Sequence, residues 1–167
     1  MAGVTHALNS VADGLRMAPE FVPAAARPPL VPLPDAFEPE VKTVLDEIAA
    51  FYAMERPPAV FRWMSRDRIF LAGYWGATRA AFSDGALDRP LKEILALAAS
   101  MTGKSDYGVD LHLREARRLG LTEQGLTEVV EVVQLFNTVT KIADTLRLEP
   151  DFNPRANGDG AERAPQA

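Results

Sequence analysis

The chain contains no cysteine, and that gap removes disulfides, thiolate nucleophiles and cysteine-ligated metals together. Histidine is nearly as scarce. Only His6 and His112 are present, fewer than a zinc centre normally draws from one chain, so no metal site is expected. Neither an EF-hand spacing nor a clustered acidic loop offers a site for calcium or magnesium. Basic residues are in the minority, 18 against 23 acidic for a formal charge of −5, which argues against nucleic acid as a partner. No apolar run approaches the roughly 20 residues of a membrane-spanning helix. The opening MAGVTHALNSVADGLRMAPEF lacks the basic start and compact apolar stretch of a secretory leader. The expected location is therefore the cytoplasm, away from membranes. Period-two alternation is missing as well, and no glycine-rich loop follows a strand, so nucleotide phosphates have no evident cradle.

What is present fits one helical domain. Apolar residues make up 47% of the 167 positions and charged ones 25%, the balance of an ordinary globular chain. Residues 1–36 carry Pro19, Pro23, Pro28, Pro29, Pro32 and Pro34, which predicts an extended arm because proline restricts itself and its predecessor. Phe21, Val22, Leu30, Val31 and Leu33 make that arm apolar enough to lie along its own body or a neighbouring subunit. Residues 153–167 are polar and rich in glycine and proline, the composition of a disordered tail. Residues 37–152 remain for the body.

About six helices are expected in it. Val41, Val44, Leu45, Ile48, Phe51 and Tyr52 follow the helical period over roughly 38–55. Pro57 and Pro58 open a short helix through Val60, Phe61 and Met64. A third runs from Asp67 to Phe82, stopped by Ser83, Asp84 and Gly85. Asp88 and Pro90 begin a fourth that reaches Thr102 and stops at Gly103; being apolar on most faces, it should be central and buried. Ser105 caps a fifth ending at Gly120, and Thr122 caps a long sixth. The expected inner face of the sixth is Leu126, Val129, Val130, Val133, Phe136, Val139 and Ile142. Arg114, Arg117 and Arg118, offset by Asp110 and Glu115, have the look of a solvated face. The fold class is all-α.

Two features stand out against this background. Glu93 is the one charge well inside an apolar helical run, where a carboxylate must find a partner or take up a proton. Ser105, Gly108 and His112 lie at steps of three and four, on one stripe of the next helix. A serine nucleophile activated by His112 is disfavoured, because seven residues separate the two by about 10 Å along the axis.

The segments PPAVFRWMSRDRIFLAGYWGATRAAF, LDRPLKEILALAAS and DLHLREARRLGLTEQGLTEVVEVVQLFNTVTKIADTLRLEPDF resemble the carboxymuconolactone decarboxylase/alkylhydroperoxidase (AhpD-like) superfamily. The resemblance covers about residues 38–152 and implies an AhpD-like bundle. Its peroxidase branch carries Glu, then Cys-x-x-Cys, then His four residues later. Here those positions are Glu93, Ser105, Gly108 and His112. With both thiols gone, disulfide-cycling peroxidase chemistry is impossible. The resemblance implies instead cofactor-free acid/base work on a small organic molecule, such as a decarboxylation, isomerisation or lactone-type reaction. Glu93, His112 and Ser105 are then the candidate catalytic residues, with Tyr107, Gly108 and Arg89 at the substrate. Gly108 should leave a space beside His112 for water or ligand. The alternative is a silent member that binds a ligand or serves as an oligomeric interaction protein. Members commonly form trimers or hexamers, so a homo-oligomer is expected, with residues 19–34 crossing onto a neighbour.

Overall fold

The computed structural model describes residues 32–149, which form six helices and no strand. These are α1 (Pro39–Phe51), α2 (Ala59–Met64), α3 (Arg68–Phe82), α4 (Arg89–Thr102), α5 (Asp106–Arg118) and α6 (Glu123–Leu146). Most of the expected arm and the whole expected tail lie outside the described residues; residues 32–38 are non-helical.

Helix starts follow local chemistry. Asp67 accepts from the Ile69 and Phe70 amides, Asp88 from Leu91, Ser105 from Gly108 and Thr122 from Gly125. Each side chain satisfies amide donors that a first turn cannot bond internally. Ends are set less locally. Helix α1 stops at Phe51, short of the expected 55, because Ala53 turns to φ 47°. Side chains from distant helices donate to its last carbonyls (below). At the α4–α5 joint the left-handed residue is Lys104 (φ 55°), while Gly103 stays right-handed.

Two apolar clusters fill the body. Helices α1–α3 enclose Val41, Leu45, Ile48, Tyr52, Phe61, Met64, Leu71 and Trp75. Helices α4–α6 enclose Leu97, Met101, Val109, Leu113, Leu126, Val130 and Val133. Helix α4 packs on α3, α5 and α6, yet buries only the stripe Glu93, Leu97 and Met101, leaving Leu91 and Leu95 exposed. The expectation of a helix buried on most faces is corrected accordingly. So is the inner face of α6. Leu126, Val130 and Val133 are buried, but Phe136 is 65% exposed, and Val139 and Ile142 are exposed with it. With Val132, Leu135 and Leu146 they make the outer half of α6 an uncovered apolar surface. Phe61 and Trp75 are core residues, whereas Trp63 and Phe70 face outward.

Candidate functional site

Glu93 and His112 meet where α4 and α5 pack. Glu93 is completely buried, and its Oε2 lies 2.8 Å from His112 Nδ1. A carboxylate only accepts, so Nδ1 carries the shared hydrogen and Nε2 is left as the free nitrogen. Nε2 is the ring nitrogen outside that bond. The imidazole keeps 17% of its surface exposed. The Phe82 ring stacks on it with centroids 5.7 Å apart and planes within 7°, which fixes the ring plane by contact with the end of α3.

Arg89 sits one turn before Glu93, its Nε 3.5 Å from Glu93 Oε1. That distance is an ion pair and too long for a hydrogen bond, so Oε1 is a buried acceptor left without one. The guanidinium is committed elsewhere. Its Nη1 donates to the Phe51 carbonyl at 3.1 Å, its Nη2 donates to Glu115 Oε2 at 3.1 Å, and its Cζ lies 3.6 Å over the Phe51 ring.

Glu115 is the residue that sequence reasoning misplaced. It is completely buried, while Asp110, Arg114, Arg117 and Arg118 on the expected solvated face of α5 stay exposed. Arg114 donates to Oε1 at 2.6 Å, and Arg118 donates to Oε2 through Nη2 at 2.7 Å and Nε at 3.1 Å. The hydrogen bonds to Glu115 raise the Arg118 pKa further above its already high value. Arg114 also donates to the carbonyls of Tyr52 and Ala53, closing the end of α1. All three arginines keep exposed surface, and Arg117 pairs outward with Glu123. One signal was available: position 115 lies three residues after His112, on the stripe that Gly108 and His112 share. Burial, followed by the nearby Glu93 charge, pushes the Tyr52 phenol well above its ordinary range.

The other candidates part from this pair. Ser105 Oγ accepts from the Gly108 amide at 3.1 Å, an N-cap bond with no link to His112. The Tyr107 hydroxyl accepts from the Val60 amide at 3.1 Å, fastening α5 to the start of α2. Gly108 leaves no space. A Cβ there would stand 2.4 Å from Ser100 Oγ and 2.9 Å from Ser100 Cβ. The glycine is therefore a point of close helix approach, and the expected void beside His112 is corrected.

Among the described residues, two of the cavities lie elsewhere. One of about 490 Å³ lies against Val41, Val44, Arg68 and Ile69, and one of about 380 Å³ against Pro34, Phe37 and Arg66. Neither touches Glu93 or His112. Among the described residues no three His, Asp or Glu side chains cluster as metal ligands, and no helix is long and apolar enough to cross a membrane.

Residues 69–148 match the model of the carboxymuconolactone decarboxylase family. The alkylhydroperoxidase AhpD core from Rhodospirillum rubrum superposes with a TM-score of 0.64 at 26% identity, covering 68% of this chain and 84% of that one. The chain is thus similar to the AhpD-like superfamily in fold and over its family-model match. This AhpD-like protein is also 32% identical over 68 residues to a curated protein of Paracoccus denitrificans described as uncharacterized protein 4 in the cox locus. That match covers 41% of the chain and 58% of the relative's length. Within the AhpD-like scaffold, the positions that resemble the paired thiols hold an N-cap serine and a packing glycine.

Proposed function

We propose that this AhpD-like protein performs cofactor-free acid/base chemistry on a small organic substrate, with His112 Nε2 as the proton carrier. The observation behind this reading is the Glu93–His112 bond at 2.8 Å. A buried carboxylate on Nδ1 fixes the tautomer and balances the imidazolium that forms when Nε2 takes a proton. The proton would pass from a carbon acid to Nε2 and return to the same or a neighbouring carbon. Ser105 has no part in this step, because its hydroxyl is used at the helix cap.

Substrates to test are small lactone and keto carboxylic acids, incubated in D₂O and followed by NMR for deuterium incorporation or loss of carbon dioxide. Exchange by the wild type that disappears in His112→Asn and Glu93→Gln supports the proposal. Equal rates in all three proteins refute it.

A second reading has its own support. The exposed apolar outer half of α6 favours an oligomeric interaction protein. Uncovered apolar surface of this kind marks an interface, and the partner we propose for it is a second copy of the chain. Light scattering distinguishes an assembly from the 18.2 kDa monomer.

A further inference from the structure

Two completely buried carboxylates, Glu93 and Glu115, share one guanidinium. Arg89 lies one turn from Glu93 on the same helix, the spacing at which arginine and carboxylate ordinarily close a full ion pair. Here they form an ion pair without a hydrogen bond, and both Arg89 Nε and Glu93 Oε1 are buried without one. The contact stays at 3.5 Å while the same guanidinium donates at 3.1 Å to Glu115 on the neighbouring helix. The Phe51 carbonyl and ring hold the guanidinium from a third side.

We propose that Glu115 is a positioning residue: it holds the Arg89 guanidinium off Glu93 and so leaves the Glu93 carboxylate to His112. The inference rests on the acid/base reading for its functional meaning, but its geometry stands apart from any turnover. Were Arg89 to close on Glu93, the carboxylate would divide its charge between two donors, and a cation would move toward the imidazole. Both effects would weaken His112 as a proton acceptor. Arg114 and Arg118 take the remaining acceptor capacity of Glu115. They thereby limit how strongly it pulls on Arg89.

Among the described residues, the charged and titratable groups around the pair include Arg114, which bonds Glu115 from α5. Arg89 comes from α4 itself, Glu115 and Arg118 from α5, and Tyr52 from the end of α1. From α3 the contact is the uncharged Phe82 ring. Removing the Glu115 charge and removing the Arg118 charge should therefore act in opposite directions.

The test follows the Cε1–H resonance of His112 by NMR as pH is varied, in a His6→Ala background so that only one histidine signal remains. Glu115→Gln should lower the His112 titration midpoint by about half a pH unit or more, and Arg118→Gln should raise it. Glu115→Asp, which keeps the charge, should restore most of the difference. A midpoint within about 0.2 unit of wild type, or a shift of the opposite sign, overturns the proposal for either variant that circular dichroism shows to be folded. Should Glu115→Gln not fold, Arg118→Gln decides alone, because Arg118 is partly exposed and its loss leaves the Glu115–Arg89 bond in place. The readout needs no substrate. A failed activity screen therefore leaves this test intact, and a failed titration leaves the screen intact.

Discussion

Replacing Gly108 with alanine sets two known effects against each other, and the structure says which wins. Alanine is the better helix former by about 1 kcal/mol in a helix interior, and less at the third residue of α5. In open space the substitution would therefore stabilise the protein. The new methyl would instead stand 2.4 Å from Ser100 Oγ and 2.9 Å from Ser100 Cβ. Ser100 cannot simply swing aside, since the closer constraint includes its Cβ, which is fixed to α4. Overpacking of this kind costs about 1–3 kcal/mol. The methyl would also press on Ser105 Oγ at 3.1 Å, straining a cap whose loss costs about 1 kcal/mol. The net expectation is a destabilisation of about 1–3 kcal/mol, read by urea denaturation at fixed protein concentration. The double variant Gly108→Ala with Ser100→Gly should recover most of the loss that Ser100→Gly alone does not explain. A Gly108→Ala protein more stable than wild type would refute the packing argument and return the glycine to the role of a ligand space.

The Tyr52 phenol gives a pH dependence. Its pKa is raised in the fold by burial and by Glu93, so its contribution is complete below the ordinary tyrosine range near 10 and is lost as pH rises above it. Stability should fall there by up to about 1.4 kcal/mol per pH unit, and Tyr52→Phe should flatten the fall between pH 9 and 11 in urea titrations; identical slopes would show that Tyr52 ionises freely. Lacking any thiol, the purified protein should consume no alkyl hydroperoxide with dithiol reductants beyond a boiled control, and sustained turnover would contradict the chemistry. Phe136→Asp, on the uncovered face of α6, should reduce the mass seen by light scattering without loss of helicity; an unchanged mass would remove α6 from the interface.

Four helix starts were legible in the sequence because each depends on a single side chain, while α1 and α2 begin without a side-chain cap bond. Asp67, Asp88, Ser105 and Thr122 each bond amides within the next three residues, and no distant contact can relocate such a cap. The end of α1 depends on Arg89 and Arg114, far along the chain, so periodicity overran it. The proximity of Glu93 and His112 was readable for a related reason: one charge in an apolar run and one imidazole on the facing stripe leave few alternatives. Glu115 was hidden by its neighbours. In LREARR the local composition resembles a wet surface, and the arginines are indeed exposed; only the packing of α1 and α4 shows that Glu115 is buried beneath Arg114 and Arg118. Periodicity on α6 marked residues that avoid water, but it carries no information on which molecule covers them. Phe136, Val139 and Ile142 share the pattern of Val130 and Val133 and lack their cover.

The bonds from Arg89 and Arg114 to the end of α1 also give the molecule a parting line. The clusters of α1–α3 and α4–α6 are separate groups of buried side chains, with Leu111 reaching across from α5. Much of what joins them at this seam is guanidinium to carbonyl. Such bonds exchange for water far more readily than apolar contacts do, and denaturants that compete for peptide groups act on them first. Each half can then open as a cooperative unit of its own. In hydrogen exchange the amides of α1 should lose protection together, ahead of those around Leu97 and Met101, so that the protein breathes along the same charged seam that aligns Glu93 with His112.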